Sequence, residues 1–259
     1  MNNILAITGK ELRSYFLSPI AWVVVGLFAL LVGLFYVSLL SAFIQASMQM
    51  DSMAAMGQQQ APLNINQQLI RPLFLNMSVV LLFVVPALTM RTYSEEKRSG
   101  TIELLLTSPL TDFQIIMGKF LGALAIYGLM LAVTLMHVGL LFWFGEPEWR
   151  SVASGYLGLL LMGGTFLSIG LFISSTTKNQ IVAVVMTFSV LLFLWLVGWF
   201  ADSASPTMQA VLRHLSIIEH FDDFAKGVVD TKHVVYYLTF IAFGLFLTAK
   251  SVDTERWRG

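Results

Sequence analysis

Side chains able to do chemistry are few and fall in short groups. Glu95-Glu96-Lys97-Arg98 sets two carboxylates beside two cations, followed by Ser99-Gly100-Thr101-Ile102-Glu103-Leu104-Leu105-Leu106-Thr107-Ser108-Pro109. Further on, His214, Glu219, His220, Asp222 and Asp223 are ligand types that a divalent metal accepts. Met48, Met50, Met53 and Met56 offer soft thioethers of the kind that hold Cu(I). His137 stands alone in an apolar run.

Each group also has a plainer reading. Glu95, Glu96 and Glu103 belong to a surface stretch and are poor general acids or bases. The histidines and acids at 214–223 fit the solvated face of an amphipathic helix, so no metal site is assigned there. With no His or Cys nearby, the methionines read as an apolar strip continuing a helix or as a soft contact surface. A lone intramembrane histidine without a partner carboxylate reads as an interhelical hydrogen bond. Gly-x-x-x-x-Gly-Lys-Ser/Thr does not occur, and Gly118-Lys119 lacks the upstream glycine, so no P-loop binds ATP. His-Glu-x-x-His, Gly-x-Ser-x-Gly and paired intramembrane carboxylates are missing too, as is cysteine, which removes metalloprotease, hydrolase, thiol and proton-coupled chemistry. The chain reads as a non-enzyme, with no cofactor or metal of its own.

The elements that carry these groups are apolar. Hydrophobic residues make up 57% of the chain and charged residues 12%, about half the usual charged share of a soluble domain. Fifteen Lys and Arg balance fifteen Asp and Glu, so no net field points to nucleic acid. A bilayer core needs roughly 20 apolar residues per helix. Stretches meeting or approaching that run from Ile20 to Ile44, Pro72 to Met90, Phe113 to Phe144, Val152 to Ser174, Ile181 to Ala201 and Val234 to Ala249, the last being the shortest. The first follows Lys10 and Arg13 as a secretory signal would, but it is too long for one and reads as a retained span. The expected fold is a single all-α integral membrane domain, 1–259, with six transmembrane helices.

Between the spans the expected parts are these. Residues 1–19 form an amphipathic elbow helix, with Leu5, Leu12 and Phe16 on one face, broken by Ser18-Pro19. Residues 45–71 form an outer loop. Pro86 kinks span 2 near its end. In the region 91–112, Gly100 suits a left-handed helix stop, Thr101 a cap, and Ser108-Pro109 a second stop. Thr111-x-x-Gln114 reads as the capping box of span 3. There Gly118 and Gly122, continued by Ala125 and Ala132, form a close-packing stripe, read as packing within one subunit ahead of a dimer face. Residues 202–233 form an outer amphipathic or re-entrant helix before span 6, its apolar positions running from Met208 to Val228.

Counted by alternate loops, Lys10, Arg13, Arg91, Lys97, Arg98, Lys119, Lys178, Lys250, Arg256 and Arg258 fall on one side. Arg71, Arg150, Arg213, Lys226 and Lys232 fall on the other. The bias places both termini in the cytoplasm. Trp143, Trp149, Trp195 and Trp199 then sit near the outer interface.

The run from Glu95 to Pro109 resembles the signature that follows the second span in type 2 ABC exporter permeases, where it forms a coupling helix. The amphipathic start, six spans and polar insertion extend the resemblance over most of the chain. Phe221-Asp222-Asp223-Phe224-Ala225-Lys226-Gly227 and Leu247-Thr248-Ala249-Lys250-Ser251 are similar to the gliding-motility branch. The resemblance implies a permease in a bacterial inner membrane, paired with a second or related permease copy. Two cytoplasmic ABC ATPase subunits would bind it, carrying the ATP and Mg, with an extracytoplasmic accessory protein as a further partner. Residues Thr101 to Thr107 would dock on each ATPase, Leu104, Leu105 and Leu106 through apolar contact. Glu95, Glu96, Lys97, Arg98 and Glu103 would pair charges, with Gly100, Thr101 and Pro109 as hinges; the same segment could instead anchor on membrane lipid. An anchor or mechanotransmission subunit of a gliding-type surface machine, moving no solute, is the alternative function.

Overall fold

Apolar length and proline punctuation divide the chain into helices joined by short turns. The computed structural model describes residues 2–57, 63–106 and 109–256, and among them all regular structure is helical. In order these are α1 (Asn2–Leu17), α2 (Pro19–Ala55), a π-turn (Asn66–Ile70) leading into α3 (Arg71–Thr89), α4 (Ser94–Ser99) and α5 (Ile102–Leu106). Then come α6 (Asp112–Phe144), α7 (Trp149–Thr176), α8 (Gln180–Leu196) with a 3-10 extension (Val197–Ser203), α9 (Pro206–Leu215), α10 (Ile217–Ala225) and α11 (Thr231–Arg256). Six of these stretches are long and apolar enough to cross a membrane.

The local stop signals act where their chemistry requires. Pro19 opens α2 and Pro72 lies in the first turn of α3, where a missing N–H costs nothing. Thr111 and Gln114 form both bonds of the capping box at 3.3 Å. Gly100 sits at φ 73°, a conformation that would strain a side chain, and ends α4. Span 1 is longer than its apolar run implied. Helix α2 passes Ile44 and continues to Ala55, so Met48, Met50 and Met53 extend a helix into the expected outer loop. Gln58 to Pro62 of that loop lie outside the described residues.

Helix α7 is the central one, packed by α3, α6, α8, α10 and α11. Its glycines permit this. A Cβ on Gly155 would lie 2.0 Å from the Phe74 ring, and one on Gly163 would lie 2.2 Å from Tyr127. The stripe on α6 serves a neighbour in the same chain. Cβ atoms on Gly118 and Gly122 would approach Ile7 and Glu11 of α1 to 2.6 and 2.7 Å. Helix α1 therefore does more than float on a leaflet. Ile7 and Glu11 are buried on α6, Thr8 Oγ1 donates to the Gly118 carbonyl at 3.2 Å, and Leu5, Phe16 and Leu17 stay exposed.

The insertion before span 6 is two helices rather than one. Ser216 caps α10 by accepting from the Glu219 N–H at 3.4 Å, which breaks the apolar periodicity running from Met208. Helix α9 buries nothing, whereas α10 packs Ile217, Phe221 and Phe224 onto the bundle. His137 lies beside Gly33 and Tyr36 of α2, with its Nδ1 buried and lacking a hydrogen-bond partner among the described residues. The interhelical hydrogen bond expected from its isolation is not made through that atom.

Candidate functional site: the charged junction around α4

Helix α3 ends at Thr89, one turn past Pro86, and the chain turns through Met90 to Tyr93 before α4 begins. The turn is fastened to α7. Ser174 Oγ on α7 donates to the Met90 carbonyl at 3.2 Å and accepts the Tyr93 and Ser94 N–H groups at 3.1 and 3.2 Å. This fixes the rotation of α4, and so decides which of its charges face inward.

Glu96 and Lys97 face inward. Lys119 of α6, with 1% of its side chain exposed, donates to Glu96 at 2.8 Å, to Glu11 of α1 at 3.0 Å and to the Thr92 carbonyl at 2.9 Å. Its ammonium also lies 5.0 Å from the centre of the buried Tyr93 ring. Lys10 bridges the same carboxylates, 3.1 Å from Glu96 and 3.4 Å from Glu11. Burial works against the Lys10 charge, but Glu11 and Glu96 outweigh it and raise the pKa above the ordinary 10.5. Two acids and two bases are thus balanced where α1, α4 and α6 meet, which is the condition for burying charge without heavy loss. On the other flank of α4, Lys97 is buried and donates to Glu255 of α11 at 2.5 Å.

The structure therefore divides the residues that the sequence groups together. Glu96 and Lys97, expected to meet a partner's charges, are engaged inside the chain, because one face of α4 packs on the bundle. Glu95, Arg98, Gly100, Thr101, Glu103 and Pro109 are exposed, and Leu104 is 73% exposed. Ile102 of α5 is buried. Thr101, expected to cap α5, has its hydroxyl 2.9 Å from that of Ser99. The side chains of Leu105 and Leu106, together with Thr107 and Ser108, lie outside the described residues. Lys119 and Glu11 were not singled out by sequence. The available signal was a lysine next to the first glycine of a close-packing stripe, since an ionisable group there must find a partner.

A second polar group forms at the opposite end. Arg71 donates to Asp222 at 2.6 Å, and Lys226 pairs with the same carboxylate. Burial opposes the Asp222 charge, but these two cations prevail and lower its pKa. Beside it, His220 Nε2 lies 3.2 Å from the His214 carbonyl, His220 Nδ1 lies 2.6 Å from His233 Nδ1, and His233 Nε2 lies 2.8 Å from Asp223. A carbonyl only accepts, so His220 carries its proton on Nε2 and accepts from His233 through Nδ1. His233 Nε2 in turn meets the Asp223 carboxylate. Burial first, then the nearby His233, His214 and Lys232 charges, push the His220 pKa down to about 4. The group is a packed hydrogen-bond chain, and no three His, Cys, Asp or Glu among the described residues are arranged to hold a metal.

A family model described as ABC-2 family transporter protein matches residues 5–233. "Probable multidrug ABC transporter permease YbhR" of Escherichia coli K12 is 29% identical over 161 residues, covering 56% of this chain and 43% of the relative. The protein of the same description from Escherichia coli O157:H7 matches to the same extent. The chain thus aligns with less than half the length of the curated relatives it matches. Their descriptions name multidrug permeases and do not bear on the gliding-motility branch.

Proposed function

Because the chain belongs to the ABC-2 family of transporter proteins, we propose that it is the membrane permease of an ATP-driven exporter. It works as a pair with a second copy or a related permease, and it receives mechanical work at α4 and α5 from two separate ATPase subunits on the cytoplasmic side. In this reading both termini and α4 lie on that side of a bacterial inner membrane, and the excess of Lys and Arg in those loops supports the orientation. ATP and Mg belong to the partner.

One observation carries this reading: beyond the turn at Met90 to Tyr93, α4 and α5 carry an exposed side, whereas Glu96, Lys97 and Ile102 turn toward the bundle. Leu104, Glu103, Arg98 and Glu95 are presented outward, as an apolar contact ringed by charges requires. Glu96 and Lys97 hold the base to α1, α6 and α11. A push on α5, pivoting at Gly100, would reach three helices through charge pairs instead of dissipating in a loose loop. The relatives' multidrug description makes an apolar organic cargo the class to try. In support, a lateral apolar hollow of about 610 Å³ lies between α6 and α7, lined by Leu131, Leu135, Trp149, Tyr156 and Leu160.

The test is co-purification of the ATPase with Leu104→Arg. Loss of the ATPase from a variant that still melts like the wild type supports the docking role. Retention of the ATPase and of substrate-stimulated ATP turnover overturns it.

A further inference from the structure

Between α1, the first turns of α2, the last turn of α3 and α4 lies a cavity of about 390 Å³. It sits at the polar end of the bundle, where α2 enters its apolar stretch and α3 leaves its own. One wall is aliphatic, from Ile20, Val24, Ala87 and Leu88. The other is charged, and both signs are represented: Lys10 and Arg91 lie there with Glu11, Glu95 and Glu96.

Two polar atoms on this wall have unspent capacity. Arg91 donates through Nη1 to Ser18 at 3.1 Å, but its Nε is buried with no hydrogen-bond partner among the described residues, and the Glu95 carboxylate lies 4.0 Å from it. Glu96 spends Oε1 on Lys119 and Lys10, whereas its Oε2 is buried with no hydrogen-bond partner among the described residues. A buried unmet donor and a buried unmet charged acceptor each cost stability. A ligand that accepts at one end and donates at the other removes both costs.

We propose that this cavity holds the headgroup of a zwitterionic aminophospholipid of the phosphatidylethanolamine class. The phosphate would meet Arg91, Lys10 and the Ser18 hydroxyl, and the ammonium would meet Glu96 and Glu95. The glycerol and first acyl carbons would lie on the aliphatic wall between α2 and α3. Charge complementarity selects this occupant. A purely anionic headgroup would face the carboxylates, and a simple cation would face Arg91 and Lys10. The proposal needs only that the chain spans a bilayer, and it stands or falls apart from the docking of an ATPase.

The test titrates the detergent-solubilised full chain with short-chain phosphatidylethanolamine, short-chain phosphatidylglycerol and inorganic phosphate, following the melting temperature and lipid adducts by native mass spectrometry. The ethanolamine lipid should raise the melting temperature saturably, at about tenfold lower concentration than the glycerol lipid, as one charge-assisted hydrogen bond would give. Arg91→Gln should lose the preference, and so should Ala87→Phe, which fills the aliphatic wall while leaving every charge in place. Equal or better binding of the glycerol lipid would show an unselective basic surface and overturn the proposal. So would a full effect from phosphate alone, or a preference that survives both substitutions. Should Arg91→Gln fail to fold, the wild-type lipid comparison and Ala87→Phe decide.

Discussion

Lys119 of α6 donates to Glu96 of α4 at 2.8 Å with 1% of its side chain reaching solvent. The same ammonium holds Glu11 of α1, so one buried charge ties an N-terminal helix, a span and the junction helix together. Stripping one member from such a group leaves uncompensated charge, which costs far more than the intact group contributes.

Lys119→Met should accordingly leave Glu11 and Glu96 with the largely exposed Lys10 as their shared cation and destabilise the fold by about 3–5 kcal/mol. Thermal melting in detergent measures this. Adding Glu96→Gln should recover part of the loss, since it removes the repulsion. A single variant that melts like the wild type would show that the triad is not a structural lock.

The small-residue stripe makes a sharper steric prediction. A Cβ at Gly118 would lie 2.6 Å from Ile7, whereas one at Gly128 meets nothing within 4 Å. Gly118→Val should displace α1 at about 1–3 kcal/mol and open the α1–α6 seam to proteolysis. Gly128→Ala should be neutral or slightly stabilising, because alanine favours the helix. Equal protease resistance of the two variants would refute the seam.

In the histidine cluster beside Asp223, His220 has its pKa lowered from 6.5 to about 4. Between those values the unfolded chain binds a proton that the folded chain refuses, so stability falls as pH drops from about 6.5 and levels off below about 4. His220→Gln cannot titrate, and its melting temperature should change less over that window. The comparison is a melting series of both proteins from pH 8 to 4. Parallel curves would remove His220 from the acid response.

Which features could be read ahead of the structure follows from how local their causes are. The spans depend on unbroken apolar length, and Thr111 with Gln114 or the left-handed Gly100 depend on neighbours a few residues away, so all were legible. The break at Ser216 was also written locally, as Ser-Ile-Ile-Glu, but the apolar period running through it obscured the capping pattern. The inward turn of Glu96 and Lys97 was not legible. Four consecutive charges carry no mark of which face packs, and the rotation of α4 is set by Ser174, about eighty residues away along the chain. His233 escaped notice because it meets His220 and Asp223 only after the turn at Gly227 brings α11 back onto α10.

That division of α4 gives a prediction separating fold from partner. Lys97 is buried on Glu255, whereas Arg98, the next residue, is exposed. Lys97→Met removes a buried cation from a short ion pair and should lower the melting temperature whether or not an ATPase is present. Arg98→Glu changes a solvated charge, which alters stability by about 0.5 kcal/mol or less. If α4 and α5 form the ATPase contact, that reversal should slow association and increase its salt dependence, because rim charges act mainly on encounter. Melting curves for the isolated chain and association rates with the ATPase at two salt concentrations give the four measurements. Loss of association with unchanged melting in Arg98→Glu, beside lowered melting in Lys97→Met, is the expected pattern. If Arg98→Glu leaves the association rate unchanged at low salt, the exposed face of α4 is not the docking surface, whatever Lys97→Met does.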